Sequence, residues 1–338
     1  MTPRPLATRL HDERPDPRTA PRLRVAYEPL TADDTLGPDV LAAIAFGMEA
    51  SPPRDPRCVR VPLGPVLGAG LVQVWTGVGP VRLGQTGIVR HTEDGTHLMG
   101  WIEVDEDAHG GLVAAAEAAY RELLGFHAES RYRHVWRIWN FVGDINAGSG
   151  DDERYRQFCL GRARAFERAA GRAAGIGYPA ATAVGTVDGR RRLSICWLAG
   201  AVAGQPVENP RQVSAFRYPR QYGPAAPSFS RAMLTPGDAL LVSGTASIVG
   251  HGSLHHGDAG AQLEETLRNL DALAAAASAP TGSRAVAAPL LTVFLRRPVD
   301  PARIVQRLQQ HYPANTGIVV LDADICRAEL LLEIEAIG

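Results

Sequence analysis

The segment FRYPRQYG, residues 216–223, concentrates side chains that bind carboxylates. It carries Arg217 and Arg220 together with Tyr218 and Tyr222. A guanidinium can hold a carboxylate through two parallel hydrogen bonds, and a tyrosine hydroxyl adds a neutral donor. The segment therefore predicts a site for a small, doubly negative ligand. A solvated loop with ordinary surface charges would contain the same residue types, so that alternative stays open.

A second candidate lies in the helix predicted for residues 151–171. Tyr155, Phe158 and Phe166 recur there at helical spacing, and Arg162 falls on the same stripe. A guanidinium that points inward is costly unless an anion meets it. Arg162 is therefore a candidate ligand-binding residue, with Tyr155 beside it. A structural ion pair, or an arginine that reaches back to the surface, would also fit this pattern.

The C-terminal segment, predicted to be a strand over residues 326–338, supplies carboxylates. Strand alternation places Glu329, Glu333 and Glu335 on one face. Such a face can simply be exposed to solvent. A carboxylate that is kept partly dry instead has a raised pKa and can act as a general acid.

Composition narrows the function classes. The formal net charge is −1, so no bulk field attracts nucleic acid or an anionic membrane, and no apolar run is long enough to span a bilayer. The four cysteines form no CxxC pair, which indicates free thiols in a reducing cytoplasm. The spacing of His251, His255 and His256 matches no zinc pattern, so neither a metal nor a cofactor is predicted.

The order of predicted elements indicates a duplication. Both halves run strand, helix, strand, helix and paired strands, which predicts an α/β (α+β) fold of two tandem βαβαβ units in the 338 residues. We expect a disordered tail (1–22), an N-terminal domain (23–202) and a C-terminal domain (203–338) that begins with an Arg/Tyr-rich linker (203–234). Predicted strands of the first half are 23–30, 70–77, 82–92, 96–106 and 134–142, with helices 110–126 and 151–171 and a hairpin over 180–200 that turns at Asp188-Gly189. The second half is predicted as strand and loop 239–253, helix 260–278, strand 287–297, helix 301–312 and strands 316–322 and 326–338.

The C-terminal half resembles the YjgF/RidA family. The matching stretches are SGTAS (243–247), QLEETLRNLDALAAAA (262–277) and LLLEIEAIG (330–338). Imine deaminases of that family bind the substrate carboxylate with an arginine that precedes the closing strand. Here the equivalent stretch, PANTGIVV (313–320), presents Asn315 instead, so the resemblance implies the YjgF-like fold more firmly than the deaminase activity.

Most of residues 24–338 resemble the chorismatases, in which two YjgF-like units form one subunit. The resembling stretches are residues 134–146, 153–163, 177–185, 208–234 and 243–251 together with the C-terminus. The most similar subgroup is the bifunctional hydroxybenzoate synthase of xanthomonadin-type pigment pathways. Simple YjgF family members are trimers, but a duplicated chain can satisfy its own interfaces, so we expect a monomer.

This resemblance implies that chorismate is cleaved to pyruvate and hydroxybenzoate, chiefly 3-hydroxybenzoate and also 4-hydroxybenzoate. The family's acid is a glutamate on the closing strand, matched here by Glu333. Aromatising members carry a cysteine seven residues earlier, where Cys326 stands. The implied substrate-binding residues are Arg162, Arg217, Arg220, Tyr155, Tyr218, Tyr222, Gly244 and Ala246. Three alternatives remain: a hydrolytic chorismatase that yields a dihydrodiol, an imine deaminase, and a non-catalytic binding protein on the same fold.

Overall fold

The computed structural model describes residues 22–29, 35–47, 54–68, 70–169, 178–186, 188–278 and 289–338. The predicted tail, residues 1–22, lies outside the described residues except for Arg22. In the described part of the first half, eight strands precede the first helix: β1 (Arg24–Pro29), β2 (Val40–Phe46), β3 (Cys58–Val61), β4 (Gly64–Leu67), β5 (Leu71–Thr76), β6 (Arg82–Thr86), β7 (Val89–Glu93) and β8 (His97–Asp105). The first half continues with α1 (Leu112–Glu129), β9 (His134–Gly143), α2 (Arg154–Ala169), β10 (Ala180–Thr186) and β11 (Arg192–Gly200).

The second half begins with two short strands inside the predicted linker and then repeats the alternation of strand and helix. Its elements are β12 (Gln205–Val207), β13 (Ala232–Leu234), β14 (Leu240–Thr245), β15 (Ile248–Val249), β16 (Gly252–Ser253), α3 (Ala259–Ser278), β17 (Leu290–Leu295), α4 (Pro301–His311), β18 (Gly317–Asp322), β19 (Asp324–Ile325) and β20 (Leu332–Ile337). Local sequence sets several of these bounds. Helix α4, for example, begins where the Asp300 carboxylate accepts a hydrogen bond from the Ala302 amide at 3.0 Å, and Pro301 occupies the first turn.

The predicted duplication is confirmed by strand order. The first large sheet runs β19-β10-β9-β11-β8-β7-β6, and the second runs β12-β13-β14-β20-β17-β18-β4. Within them, β10-β9-β11-β8 matches β18-β17-β20-β14, and β9 pairs in parallel with β10 as β17 does with β18. The chain is therefore a mixed α+β protein made of two copies of one unit.

The hairpin predicted over residues 180–200 is wrong. Strands β10 and β11 do not pair with each other, because β9 lies between them and pairs with both. Strand β9 is buried along almost its whole length, as expected for a central strand that is covered on both faces.

Two further boundaries differ from the predicted ones. Residues 82–92 form a hairpin, β6 and β7, with Gly87 at φ 57° in the turn. The closing strand begins only at Leu332, since the Gln262 side chain takes the backbone groups just before it: its Oε1 accepts from the Leu331 amide at 2.8 Å, and its Nε2 donates to the Glu329 carbonyl at 3.0 Å. The sequence interpretation also missed β2, β3 and β4.

Three sheets surround one shared core. The two large sheets face each other across an apolar cluster that includes Trp139, Leu241 and Phe294, and the smaller sheet β1-β5-β2-β3 adds Leu41 and Trp75 to it. Helices α1 and α2 cover the outer face of the first large sheet, and α3 and α4 cover that of the second. Strand alternation therefore sends side chains of β9 and β20 toward each other.

The two halves also exchange edge strands. Strand β4 of the first half pairs with β18, and β19 of the second half pairs with β10. At the junction of the two sheets, the Ser243 hydroxyl accepts a hydrogen bond from the Ala181 amide at 2.8 Å. The division at residue 203 stays a prediction, while the elements on either side of it are interlocked.

Candidate active site

A cavity of about 410 Å³ opens where the first large sheet meets the second, within the usual range of small-molecule sites. Its walls come from five separate segments of the chain: α2, β10, the linker, β14 with the loop that follows it, and the closing segment. The lining side chains that bear on chemistry are Tyr155, Arg162, Thr182, Tyr218, Tyr222, Arg231, Gly244, Ala246, Cys326, Arg327 and Glu333.

This set contains every sequence-predicted site residue except Arg217 and Arg220. Both of those side chains are exposed. Arg220 forms an ion pair with Asp151, and the Arg217 guanidinium lies over the Phe216 ring at 5.8 Å. Two short helical turns, Ala215–Arg217 and Arg220–Tyr222, shape this segment so that its tyrosines face the cavity and its arginines face outward.

Arg162 is an inward-facing cation with unused donors. It is 3% exposed, and its guanidinium lies 4.9 Å from the centroid of the Tyr120 ring and 5.8 Å from that of Phe166. Its Nε and Nη2 atoms are buried, and neither donates a hydrogen bond to any of the described residues. A buried cation with unsatisfied donors at a cavity wall is suited to bind an anion.

Two arginines that the sequence interpretation missed, Arg231 and Arg327, line the cavity where Arg217 and Arg220 were expected. Arg231 donates from Nη2 to the Val213 carbonyl at 2.8 Å and to the Tyr218 hydroxyl at 2.7 Å. The Arg327 guanidinium lies 4.1 Å from the centroid of the Tyr222 ring. Both arginines are buried and line the cavity.

The local signal for these two residues was weak. Arg231 stands in the resembling stretch 208–234, and Arg327 directly follows Cys326. In a chain with 35 Lys and Arg residues, residue type alone cannot separate them from surface arginines.

The surroundings of Glu333 favour its protonated, neutral form. It is 4% exposed, and burial raises its pKa from 4.5 to about 8, with the nearby Glu335 charge adding to the rise and Arg137 and Arg231 opposing it. A carboxyl group that is protonated at neutral pH and faces a cavity can act as a general acid.

Glu335 lies on the same face of β20 and is equally buried, so the alternation predicted for these two residues holds and the solvent-exposed alternative is wrong. The prediction was wrong for Glu329, which precedes the strand. Its environment is nevertheless opposite to that of Glu333. It accepts hydrogen bonds from Arg137 Nη2 at 2.5 Å, from Trp139 Nε1 at 3.1 Å and from the Thr182 hydroxyl at 2.8 Å. Of the two glutamates, Glu335 is therefore the one that forms an ion pair with a buried arginine.

Gly244 allows Glu333 to reach its position. A β-carbon on residue 244 would lie 1.8 Å from Oε1 of Glu333, so any other residue type would collide with the carboxyl group. The Gly244 amide donates to the Thr182 hydroxyl at 3.0 Å, which fixes the glycine against the first large sheet.

Cys326 and Tyr155 meet the cavity as neutral groups. Burial raises the pKa of the Cys326 thiol and of the Tyr155 hydroxyl above their ordinary values. Because the thiolate is the nucleophilic form of cysteine, Cys326 is suited to shape the cavity rather than to attack a ligand.

The histidines of the 251–256 loop make separate contacts. His251 Nδ1 lies 3.2 Å from the Tyr222 hydroxyl, and His255 Nε2 lies 3.3 Å from a carboxylate oxygen of Glu265. Across the described residues, no group of three His, Cys, Asp or Glu side chains is arranged to hold a metal ion. None of the described helices has the length and apolarity needed to cross a membrane.

Similarity to known proteins identifies the family. The chain is 34% identical over 280 residues to a 3-hydroxybenzoate synthase of Streptomyces hygroscopicus, a match that covers 78% of this chain and 80% of the relative. The chain belongs to the chorismatase family. A chorismatase of Streptomyces rapamycinicus is 35% identical over 282 residues, covering 78% of this chain and 81% of that protein. A family model described as "Chorismatase FkbO/Hyg5-like, N-terminal" matches residues 73–199.

A solved chorismatase also shares the architecture. Its crystal structure matches with a TM-score of 0.81 at 28% identity, covering 94% of this chain and 98% of the solved chain. The family and the fold class predicted from sequence are thereby confirmed. The finer assignment to the bifunctional subgroup of pigment pathways stays a prediction.

Proposed function

We propose that this protein converts chorismate into pyruvate and 3-hydroxybenzoate. The observation that carries the proposal is the pairing, in one cavity, of a buried neutral carboxyl group on Glu333 with the unsatisfied guanidinium of Arg162. Chorismate needs both, because it is doubly negative and its enol ether must gain a proton before it can break. The relative named 3-hydroxybenzoate synthase supports this choice of product.

The first chemical step is proton transfer from Glu333 to the methylene carbon of the enolpyruvyl group. That carbon becomes a methyl group, and the adjacent carbon becomes an oxocarbenium ion. The bond between the ether oxygen and the ring then breaks, its electrons stay with the oxygen, and pyruvate leaves. The neighbouring ring hydroxyl oxygen attacks the vacated ring carbon and returns its proton to Glu333. The bond from this oxygen to its original ring carbon then breaks, the attacked carbon loses its proton and the oxygen gains one. The ring is now aromatic, and 3-hydroxybenzoate forms without a net gain or loss of water.

The two carboxylates of chorismate are held by cations from separate segments. Arg162 on α2 binds one of them, and Arg231 and Arg327 supply the charge for the other, with the Tyr218 and Tyr222 hydroxyls as neutral donors. Burial of the three guanidinium groups supports this set, since a charged hydrogen bond is stronger where water is excluded. Arg217 and Arg220 are omitted because both are exposed.

Cys326 and Ala246 complete the proposal as residues that shape the cavity around the ring. Both line the same cavity as Glu333. An uncharged, weakly polar wall at Cys326 disfavours an ordered water beside the reacting ring carbon, which favours attack by the ring hydroxyl over hydrolysis.

The proposal is tested by incubating the purified chain with chorismate. Pyruvate is followed with lactate dehydrogenase and NADH, and the ring product is identified by chromatography against 3-hydroxybenzoate, 4-hydroxybenzoate and the dihydrodiol. We expect pyruvate and 3-hydroxybenzoate in equal amounts. A dihydrodiol in their place would assign the hydrolytic reaction, and folded protein that binds chorismate without releasing pyruvate would refute the enzymatic proposal.

We further propose that the protein acts as a monomer in the cytoplasm, with chorismate as its small-molecule partner. The two tandem units pack against each other around one shared apolar core, which supports a chain that satisfies its own interfaces. Light scattering during size-exclusion chromatography tests this: a mass near 36.1 kDa is expected, and a mass three times larger would indicate a trimer.

A further inference from the structure

Arg137 is a fully buried cation that two carboxylates could share. It lies on β9 between the two large sheets and is 1% exposed. Glu333 and Glu335 on β20 both lie close enough to stabilise its charged form. One guanidinium in a dry core can neutralise one of these carboxylates, and the other must then take up a proton.

The hydrogen bonds assign the charge to Glu335. Its carboxylate receives donors from Arg137, Trp139 and Thr182, which belong to two neighbouring strands of the first sheet. Within the described residues, the Glu333 carboxyl receives no hydrogen bond and has no ion-pair partner within 4.0 Å, and it lines the cavity instead. The donors that could stabilise an ionised Glu333 are therefore already bound to Glu335, two residues later on the same strand.

Thr182 joins this charge assignment to the position of Glu333. Its hydroxyl donates to Glu335 and accepts from both Arg137 and the Gly244 amide. These contacts use the whole hydrogen-bonding capacity of a threonine hydroxyl, which is one donor and two acceptors. Gly244 in turn forms the surface against which the Glu333 carboxyl packs.

We propose that Glu335 is a positioning residue for the chorismatase reaction, which keeps Arg137 occupied so that Glu333 meets the substrate as a neutral proton donor. Glu335 does not line the cavity, so it acts through Glu333 and not on the substrate. The proposal rests on the proposed function for its catalytic meaning, while the arrangement of charge can be measured without substrate.

The other titratable groups around the pair leave this balance unchanged. Tyr27 on β1 faces Glu335, and Cys326 faces Glu333; burial raises the pKa of both, so both stay neutral. Arg231 faces Glu333 from the linker and opposes its protonation, yet it donates to Val213 and Tyr218. Arg231 is kept in every variant below, so the variants differ only in the charges at positions 335 and 137.

The decisive variant is Glu335→Gln, which preserves shape and removes the charge. Arg137 then has no anionic partner except Glu333, so Glu333 should ionise at lower pH and fail as an acid at neutral pH. We expect kcat at about pH 7.5 to fall tenfold or more, with most of the loss regained near about pH 5.5, because each unit of pKa corresponds to a factor of ten in the protonated fraction. Glu103→Gln, which removes an exposed ion pair with Arg192, is the matched control and should keep the wild-type pH profile.

A second variant separates charge from structure. In the double variant Arg137→Met/Glu335→Gln the competing cation is gone, so activity at neutral pH should rise above that of Glu335→Gln alone. A purely structural role predicts the reverse, since two buried contacts are lost instead of one. A Glu335→Gln variant that loses activity equally at every pH, or a double variant that is worse than the single one, would overturn the proposal.

Infrared spectroscopy gives the readout that needs no turnover. In the wild type at neutral pH, the carbonyl stretch of a protonated carboxyl group should be present and should vanish in Glu333→Gln. In Glu335→Gln the same band should disappear at lower pH than in the wild type. An unshifted band would refute the role of Glu335, whereas a shifted band in a chain that releases no pyruvate would refute the proposed function and leave the charge assignment standing.

Discussion

Gly244 and Glu333 fit together so closely that a β-carbon on the glycine would lie 1.8 Å from Oε1 of the glutamate. The glycine belongs to β14 and the glutamate to β20, which pair with an irregular register at this point. The proposed acid thus has its place only because its neighbour has no side chain. Several expected outcomes follow from this packing and from the charges around it.

The variant Gly244→Ala should lose activity. The new methyl group displaces the Glu333 carboxyl, and a displacement of about 1 Å can cost about 100-fold in rate, so we expect kcat to fall by roughly that factor. Overpacking should also lower stability by about 1–3 kcal/mol. Gly260→Ala, in the exposed first turn of α3 where the nearest atom would lie 3.4 Å away, is the control and should leave kcat unchanged. Equal activity of the two variants would contradict the contact.

Activity should fall as pH rises through about 8. Glu333 acts in its protonated form, and its pKa is raised from 4.5 to about 8, so the protonated fraction is high at neutral pH and declines above the folded-state pKa. The measurement is kcat/KM for pyruvate release between pH 5 and pH 10. A basic limb near the ordinary glutamate pKa would show that Glu333 is ionised at neutral pH and is not the acid.

The stability of the Glu333→Gln variant, measured relative to that of the wild type, should increase as pH rises. Because the folded-state pKa is raised, the wild type holds a proton that the unfolded chain releases above pH 4.5. Its stability therefore declines between about pH 4.5 and pH 8, by up to about 3 kcal/mol at pH 7. Glu333→Gln lacks this decline. Denaturant unfolding at pH 5 and pH 8 should show the difference between the two proteins growing with pH, and a constant difference would argue against a buried, protonated Glu333.

Arg162→Gln should raise KM and lower kcat/KM by about 100-fold, since a charged hydrogen-bond donor to a substrate carboxylate contributes about 1.5–3 kcal/mol. Arg217→Gln and Arg220→Gln are the matched controls. Both side chains are exposed, so we expect changes within about threefold. Steady-state kinetics with chorismate decides between the two sets. If Arg217→Gln or Arg220→Gln lowered kcat/KM more than Arg162→Gln did, the substrate would bind at the linker surface and not in the cavity.

Cys326→Ala should change the product more than the rate. Removing the thiol enlarges the cavity beside the acid and admits water, so dihydrodiol should appear next to 3-hydroxybenzoate while pyruvate release stays within about tenfold of the wild type, because Glu333 is untouched. Chromatography of the ring products measures the ratio. An unchanged ratio would mean that Cys326 has no part in the choice between hydroxyl and water.

Local pattern predicted much of the architecture. Helical spacing identified the stripe that turns Arg162 inward, and strand alternation put Glu333 and Glu335 on one face, because both are periodic properties of short segments. The repeated order of elements predicted two copies of one unit. Pattern failed at the supposed hairpin of residues 180–200, since which strand lies beside another is decided by long-range pairing and not by the turn that joins them.

The sequence by itself determined the family, the duplicated unit and the segments that meet at the cavity. Only the tertiary structure decided which arginines reach it and which glutamate is neutral. Tyr218 and Arg217 are adjacent in the chain, yet the first lines the cavity and the second faces outward. Glu333 and Glu335 look alike in the strand, but Arg137, which is 198 residues away along the chain, is bound to Glu335. Burial and charge pairing depend on which residues are neighbours in space, and the local sequence does not specify those neighbours.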